Sequence, residues 1–155
     1  MQNRPHYDHV VEEVSAMLAD RAERAEEAGV AEVWIDPGIG FGKTVDHNLE
    51  LLASLDDLVA TGYPVMVGTS RKSFLAGVAS PGGGSSIPVD ARLPGSLATA
   101  TWAMSQGARM VRVHDVAATV QAAVLVGRTG FDAAAGDERG GSHPETRAGD
   151  PEVGA

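Results

Sequence analysis

Three short motifs hold most of the side chains in this sequence that could do chemistry. They are DPGIGFGKT, TSRKS and RVHD, at residues 36–44, 69–73 and 112–115. An apolar, strand-like run precedes each motif, at 33–35, 64–67 and 110–111. Enzymes built from alternating strands and helices place their reactive groups at the carboxyl ends of parallel strands. Three such clusters in the same structural position predict a single active-site rim.

The end of the first motif, GFGKT, invites comparison with a phosphate-binding loop. The pattern G-x-x-x-x-G-K-[ST] needs a glycine five residues before Gly42, and Pro37 stands there instead. Proline also lacks the N–H that a phosphate cradle would use. We therefore expect a strand-end loop whose glycines allow tight turns. Asp36 then either caps backbone amides of its own loop or binds a ring amidine or amino group of a ligand.

The second motif places a hydroxyl and two cations, Ser70, Arg71 and Lys72, at a strand end and a predicted helix start. Helix N-termini favour anions, so this segment is suited to a carboxylate or a phosphate. The alternative is a solvated basic turn.

In the third motif, Arg112 and His114 alternate along a strand and so point to the same side. Burying that pair in an apolar layer is costly without an anionic or planar partner. The alternative is that His114 is a core histidine, paired with Asp115 or with a backbone group.

Hydrophobic periodicity predicts the elements that position these motifs. The predicted helices cover 7–28, 46–60, 73–79, 93–106 and 116–126, and the predicted strands cover 33–35, 64–68 and 109–113. Between them, 80–90 is a Gly/Ser/Pro loop. The segment from 127 to 155 lacks periodicity and predicts a disordered acidic Gly-rich tail. The order predicts an α/β fold with a parallel sheet. Three strands are too few to close a barrel, so this resembles the back part of a larger array.

Composition narrows the class of partner. The formal net charge is −9 and the two lysines, Lys43 and Lys72, both fall within the motifs. An acidic chain is poorly suited to nucleic acid or to an anionic membrane. Cysteine is absent, which excludes disulfides and thiolate metal sites. No apolar run is long enough to span a bilayer and the first residues do not read as a signal peptide, so we expect a cytoplasmic protein.

Together, DPGIGFGKT, GTSRKSF and RVHD resemble dihydropteroate synthase, the folate-pathway enzyme that sulfonamides target. The resemblance runs from about Met1 to Val126 and covers the C-terminal portion of a pterin-binding TIM barrel, about three β/α units plus a leading helix. It implies an enzyme that joins 6-hydroxymethyl-7,8-dihydropterin pyrophosphate to p-aminobenzoate and releases pyrophosphate. It also implies Mg²⁺ as the cofactor. The protein ligand of that metal is not among the matched residues, so no metal-binding residue is predicted here.

The same resemblance implies roles for individual residues. The matches are, for the pterin, Asp36, Lys72 and Arg112; for p-aminobenzoate, Gly40, Phe41 and Ser70; and for the pyrophosphate anion, Arg112 and His114. The family also implies a homodimer in the complete enzyme and small-molecule partners only. Activity of this chain alone is not expected, because part of the site comes from strands it does not match. A non-catalytic pterin-binding or interaction remnant and a truncated reading frame are the alternatives.

Overall fold

A computed structural model of the protein describes residues 5–79 and 87–128. In chain order the helices are α1 (Val10–Glu27), α2 (Val45–Ala53), α3 (Leu55–Val59), α4 (Ser73–Ala79), α5 (Leu93–Ser105) and α6 (Val116–Arg128), with a 3-10 turn at Val89–Arg92 before α5. The strands are β1 (Met66–Val67) and β2 (Met110–Val111). Helices alternate with parallel strands, in agreement with the predicted α/β order.

The sheet is parallel and small. β1 pairs with β2 in the register Met66 to Met110, and Ile35 makes an isolated parallel bridge to Val65. The Ile35 amide donates to the Pro64 carbonyl at 3.0 Å, and the Arg112 amide donates to the Val67 carbonyl at 2.9 Å. Three consecutive parallel segments therefore end on the same side, as the rim prediction requires.

The predicted strands are longer than the observed ones. The run 33–35 is reduced to the single bridge at Ile35, and 109–113 to two residues of β2. Among the described residues the sheet has the order β1–β2, so β2 is an edge strand. A strand that pairs along one side has fewer ladder hydrogen bonds to extend it.

The segment 46–60 was predicted as one helix, and the structure divides it. Ser54 lies between α2 and α3 with φ −111° and ψ 35°, outside the helical region. At the other end, Thr44 forms a capping box with His47: the Thr44 hydroxyl accepts from the His47 amide at 3.1 Å, and the His47 ring accepts from the Thr44 amide. The start of α2, which follows the first motif directly, is therefore fixed by local hydrogen bonds.

The core lies between the helices and one face of the sheet. Its largest fully buried apolar side chains are Ile39, Leu51, Leu55, Leu58, Val65 and Val67. Trp102 of α5, although about half exposed, donates from its indole nitrogen to the Leu52 carbonyl at 2.7 Å and so links α5 to α2. Burying Ile39 anchors the first motif to the core, even though that motif forms a loop.

An apolar groove runs along the open edge of β2 beside α6. It has a volume of about 450 Å³, and Met110, Val116 and Val120 on its walls are about half exposed. α6 ends at Arg128, two residues later than predicted, and the tail predicted beyond it lies outside the described residues. Within 5–79 and 87–128, no helix is both long and apolar enough to cross a membrane.

Candidate functional site

The three motif loops meet around one cavity of about 410 Å³. Its wall is formed by side chains from all three motifs and from the turn before α5. The lining residues are Phe41, Gly68, Ser70, Arg71, Lys72, Val89, Arg112, Val113 and His114. The prediction of a shared rim is therefore confirmed as a spatial arrangement.

The first motif folds into a turn of glycines, residues 38–42. Gly38, Gly40 and Gly42 all have positive φ, between +56° and +81°. The Phe41 amide donates to the Gly38 carbonyl at 3.1 Å, and the Gly38 amide donates to Asp36 Oδ1 at 2.8 Å. Asp36 thus caps its own loop with one oxygen. This is the first of the two alternatives for that carboxylate, and its charge still acts on the lysines nearby.

Lys72 lies across the glycine turn. Its Nζ donates to the Ile39 carbonyl and sits 4.4 Å from the centroid of the Phe41 ring, within cation–π range. A Cβ built on Gly40 would lie 2.8 Å from Lys72 Cδ, so the absence of a side chain at Gly40 makes room for the lysine stem. Burial lowers the pKa of Lys72; Asp36 opposes this effect, while Arg112 and Lys43 add to it.

Lys43 closes the same turn from the other side. Its Nζ donates to the Gly38 carbonyl at 3.3 Å and to the Phe41 carbonyl at 3.4 Å. Burial lowers the pKa of Lys43 as well, and the Asp36 carboxylate partly offsets the effect. Both lysines are therefore easier to deprotonate than an exposed lysine. An anion bound beside them would stabilise their protonated forms.

Arg71 is bound to protein groups although its side chain is 38% exposed. Its guanidinium makes a bidentate pair with Asp115, with distances of 2.6 and 3.0 Å, and the Arg71 backbone adopts a left-handed φ of +59°. The Arg71 amide donates to Ser96 Oγ at 3.0 Å, and the Arg71 carbonyl accepts from Arg92 at 2.9 Å. Arg71 holds the pKa of Asp115 below its ordinary value, chiefly through the hydrogen bonds. Arg71 is therefore a partly exposed cation of this turn that is paired with a carboxylate.

Ser70 and His114 hold the second and third motifs together. The Ser70 hydroxyl accepts from the His114 amide at 3.1 Å and lies 3.0 Å from His114 Nδ1. His114 is exposed, so the alternative of a core histidine does not hold. Helix α4 begins at Ser73, and Ser70 lies three residues before it, buried at the strand end. The predicted helix over 73–79 is confirmed, and Ser70 lies in the turn between the strand end and that helix.

Arg112 lies flat against the neighbouring strand end. A Cβ built on Gly68 would be 3.1 Å from Arg112 Nη2 and 3.3 Å from Nε. The glycine thus lets a planar guanidinium approach the backbone at the cavity wall. Arg112 is itself exposed and faces the cavity together with Lys72 and His114.

Five of the seven predicted site residues line the cavity, namely Phe41, Ser70, Lys72, Arg112 and His114. The other two are not among its lining residues: Gly40 leaves room for the stem of Lys72, and Asp36 caps the glycine turn. Three cations, an imidazole and an aromatic ring line this cavity, and Arg71 among the cations is already paired with Asp115. The cavity therefore has the chemistry to hold an anionic group beside a planar ring.

Sequence reasoning missed Asn48. This side chain is 1% exposed, accepts from the Gly40 amide at 2.6 Å, and donates to the Thr44 carbonyl at 2.6 Å. A signal was available, because Asn48 shares the buried face of α2 with Leu51 and Leu52, where a polar residue needs partners.

A magnesium site finds no support among the described residues. Nowhere in 5–79 or 87–128 do three or more His, Asp or Glu side chains gather closely enough to hold a metal ion. Asp36 and Asp115, the acidic residues of the motifs, are bonded to Gly38 and Arg71. The donor set does not fit Mg²⁺, and we derive no chemical step through it.

Comparison with known proteins identifies the family of this chain. The family described as pterin binding enzyme matches residues 1–114, and the chain belongs to that family.

Within the family, the chain is similar to dihydropteroate synthases. It is 44% identical over 122 residues to the dihydropteroate synthase of Haemophilus influenzae, covering 77% of this chain and 42% of that protein. The Thermus thermophilus dihydropteroate synthase solved with 4-aminobenzoate superposes with a TM-score of 0.73 and 42% identity, over 79% of this chain and 48% of that one. The same enzyme solved with 6HMPPP gives a TM-score of 0.75 and 41% identity, over 83% and 50%. The chain thus spans about half the length of these relatives.

Proposed function

We propose that this chain forms the C-terminal part of a dihydropteroate synthase-type transferase of folate biosynthesis. In this proposal it contributes about three β/α units of a TIM barrel. The strands that close the barrel correspond to the part of the relatives that this chain does not match. The complete enzyme joins 6-hydroxymethyl-7,8-dihydropterin pyrophosphate to p-aminobenzoate in the cytoplasm, as a homodimer. The observation that carries the proposal is the cavity where Phe41, Lys72, Arg112 and His114 converge.

The chemistry follows from the groups around that cavity. The bond from the pterin methylene to the pyrophosphate oxygen breaks, and the amine nitrogen of p-aminobenzoate attacks the methylene carbon and then releases a proton. The leaving group is a polyanion, so cations placed beside it stabilise the developing charge. Arg112 and His114 face the cavity side by side and are assigned to the anion.

The pterin is assigned to Asp36, Lys72 and Arg112. The planar guanidinium of Arg112 can stack on a ring face. The ammonium of Lys72 lies between the Ile39 carbonyl and the Phe41 ring, and the charge of Asp36 favours its protonated form. A ring nitrogen or carbonyl of the pterin can accept from this ammonium, while Asp36 keeps one oxygen for the loop and offers the other to the ring.

The p-aminobenzoate is assigned to Gly40, Phe41 and Ser70. The Phe41 ring is 58% exposed, which leaves an aromatic surface for the benzoate ring. Ser70 Oγ already contacts His114, so its part in this slot is to hold the rim together beside the ligand. The Thermus thermophilus relative was solved with 4-aminobenzoate, which supports the same ligand class for this chain.

A chimera tests the proposal. Residues 1–126 are joined to the part of the Haemophilus influenzae relative that this chain does not match, and product formation and pyrophosphate release are measured with both substrates. The chimera is expected to turn over, and the purified 155-residue chain is not, because catalysis needs all groups fixed in one geometry. A folded chimera without activity would refute the proposal. Turnover by the chain alone would refute the need for the remaining strands.

A second candidate is a non-catalytic pterin-binding or interaction remnant. The observation in its favour is the open edge of β2, which leaves the apolar groove exposed. An inactive chimera whose ligand affinity matches that of the whole relative would favour this candidate.

A further inference from the structure

The hydrogen bonds around Gly40 identify a residue that acts on the site through the backbone of the glycine turn. We propose that Asn48 is a positioning residue that orients the Ile39–Gly40 peptide and thereby places the ammonium of Lys72 at the cavity. This inference deepens the proposed function and rests on it only for the identity of the ligand.

The first step is the geometry of one peptide unit. The N–H of this peptide belongs to Gly40 and donates to Asn48 Oδ1 at 2.6 Å, while its C=O belongs to Ile39 and accepts from Lys72 Nζ. A trans peptide is planar, so its N–H and C=O point in opposite directions. Fixing the N–H toward Asn48 therefore aims the carbonyl at Lys72.

The second step is that other contacts leave this peptide free to rotate. Ile39 is fully buried and fixes the position of the chain at that point. The positive φ of Gly40, +81°, is a region that glycine leaves easily because its conformational freedom is wide. Burial of the Ile39 side chain thus fixes where the turn lies, and the bond to Asn48 fixes which way its carbonyl faces.

The third step is that Asn48 is itself rigid. Its Nδ2 donates to the Thr44 carbonyl at 2.6 Å, so the amide is held at both ends and its oxygen points at Gly40. It lies in α2, whose start is fixed by the capping box of Thr44 and His47. At 1% exposure, water does not compete for these bonds. The position of α2 therefore determines, through Asn48, where the ammonium of Lys72 lies at the cavity.

The test uses the fact that Lys43 and Lys72 are the two lysines of the sequence. The full chain is pulsed with acetic anhydride over a range of pH, and acetylation of each lysine is followed by peptide mass spectrometry. The plateau rate at high pH reports access to the amine, and the midpoint reports its pKa. Three variants are compared with the wild type: Asn48→Leu removes both bonds, Asn48→Asp keeps an acceptor for Gly40, and Trp102→Phe removes a different bond to α2.

Asn48→Leu is expected to raise the plateau rate at Lys72 about tenfold, the effect of losing roughly one hydrogen bond that limits access. Asn48→Asp keeps the bond to Gly40 but loses the bond to the Thr44 carbonyl, so its rate is expected to lie between that of the wild type and that of Asn48→Leu. Trp102→Phe tests for a merely structural effect, because it loses the bond to the Leu52 carbonyl without touching the turn, and is expected to leave Lys72 unchanged. If Asn48→Leu does not fold by circular dichroism, Asn48→Ala takes its place.

Equal Lys72 rates in all four proteins would overturn the inference. An equal increase in Asn48→Leu and Trp102→Phe would also overturn it, since the effect would then be general loosening. Binding of 4-aminobenzoate to the chimera is measured in parallel. If the chimera does not bind it while the lysine pattern holds, the proposed function fails and the positioning role stands. If the chimera binds it and Lys72 does not respond to Asn48, the positioning role fails alone.

Discussion

Placing a methyl group on Gly40 is expected to destabilise the protein and to displace Lys72 from the cavity. The backbone there has φ +81°, and the new Cβ would lie 2.8 Å from Lys72 Cδ. Left-handed backbone costs an L-residue roughly 1–2 kcal/mol. The lysine stem must also move, which breaks the bond from its ammonium to the Ile39 carbonyl, worth roughly 1.5–3 kcal/mol because the donor is charged. Gly40→Ala is therefore expected to lower the free energy of unfolding by about 2.5–5 kcal/mol, the sum of these two costs.

Gly62→Ala separates the two contributions. Gly62 has nearly the same φ, +86°, and no atom lies within 4 Å of a Cβ built on it. This control is expected to cost only the roughly 1–2 kcal/mol of backbone strain. Urea denaturation gives the stability of each variant, and acetylation of Lys72 gives its exposure. Equal destabilisation by the two substitutions, with Lys72 unchanged in both, would show that Lys72 does not lie against Gly40 and would refute the reasoning.

Three further outcomes are expected. In the chimera, Lys72→Ala and Arg112→Ala should each reduce turnover about ten- to a hundredfold with the fold intact, because a charged hydrogen bond is worth roughly 1.5–3 kcal/mol. Wild-type turnover in either variant would show that the residue is not part of the site. The pKa of Asp115 is lowered by Arg71, so the pair stabilises the protein above the ordinary carboxyl pKa and this contribution is lost as the pH falls through the lowered value. Asp115→Asn should therefore flatten the pH dependence of urea stability in the acidic range, and an unchanged profile would contradict the pairing. The full chain should self-associate through its exposed apolar groove, and Val120→Lys should reduce the mass seen by light scattering; a concentration-independent monomer would refute this.

The helices could be predicted from the sequence because their signals are local. Periodicity located α1, α5 and α6 to within a few residues, since the apolar spacing that defines a helical face is written in consecutive residues. The division at Ser54 and the length of β2 could not be predicted in this way. Both depend on which segments lie alongside, and an edge strand with one neighbour keeps fewer hydrogen bonds.

The residues that line the site could be predicted better than the hydrogen bonds between them. Five of the seven predicted residues line the cavity, because strand ends bring them to one edge whatever their exact contacts. The partner of each side chain depends on how the loops pack against one another. Neither the pairing of Arg71 with Asp115 nor that of Ser70 with His114 could therefore be predicted from sequence spacing. The role predicted for each residue toward the ligands stays a prediction.

The Arg71–Asp115 pair also sets an order of events during synthesis. The two residues are 44 positions apart, and Ser96, which holds the Arg71 amide, also follows Arg71 in the chain. At about 5–20 residues per second, Asp115 leaves the ribosome's active centre roughly 2–9 s after Arg71. Ser96 is made within that interval, 25 positions after Arg71, so the left-handed turn at Arg71 gains its anchor on α5 before its ion pair. The contacts that join the second motif to the third therefore form only after the third motif has been made, later than the glycine turn of the first motif.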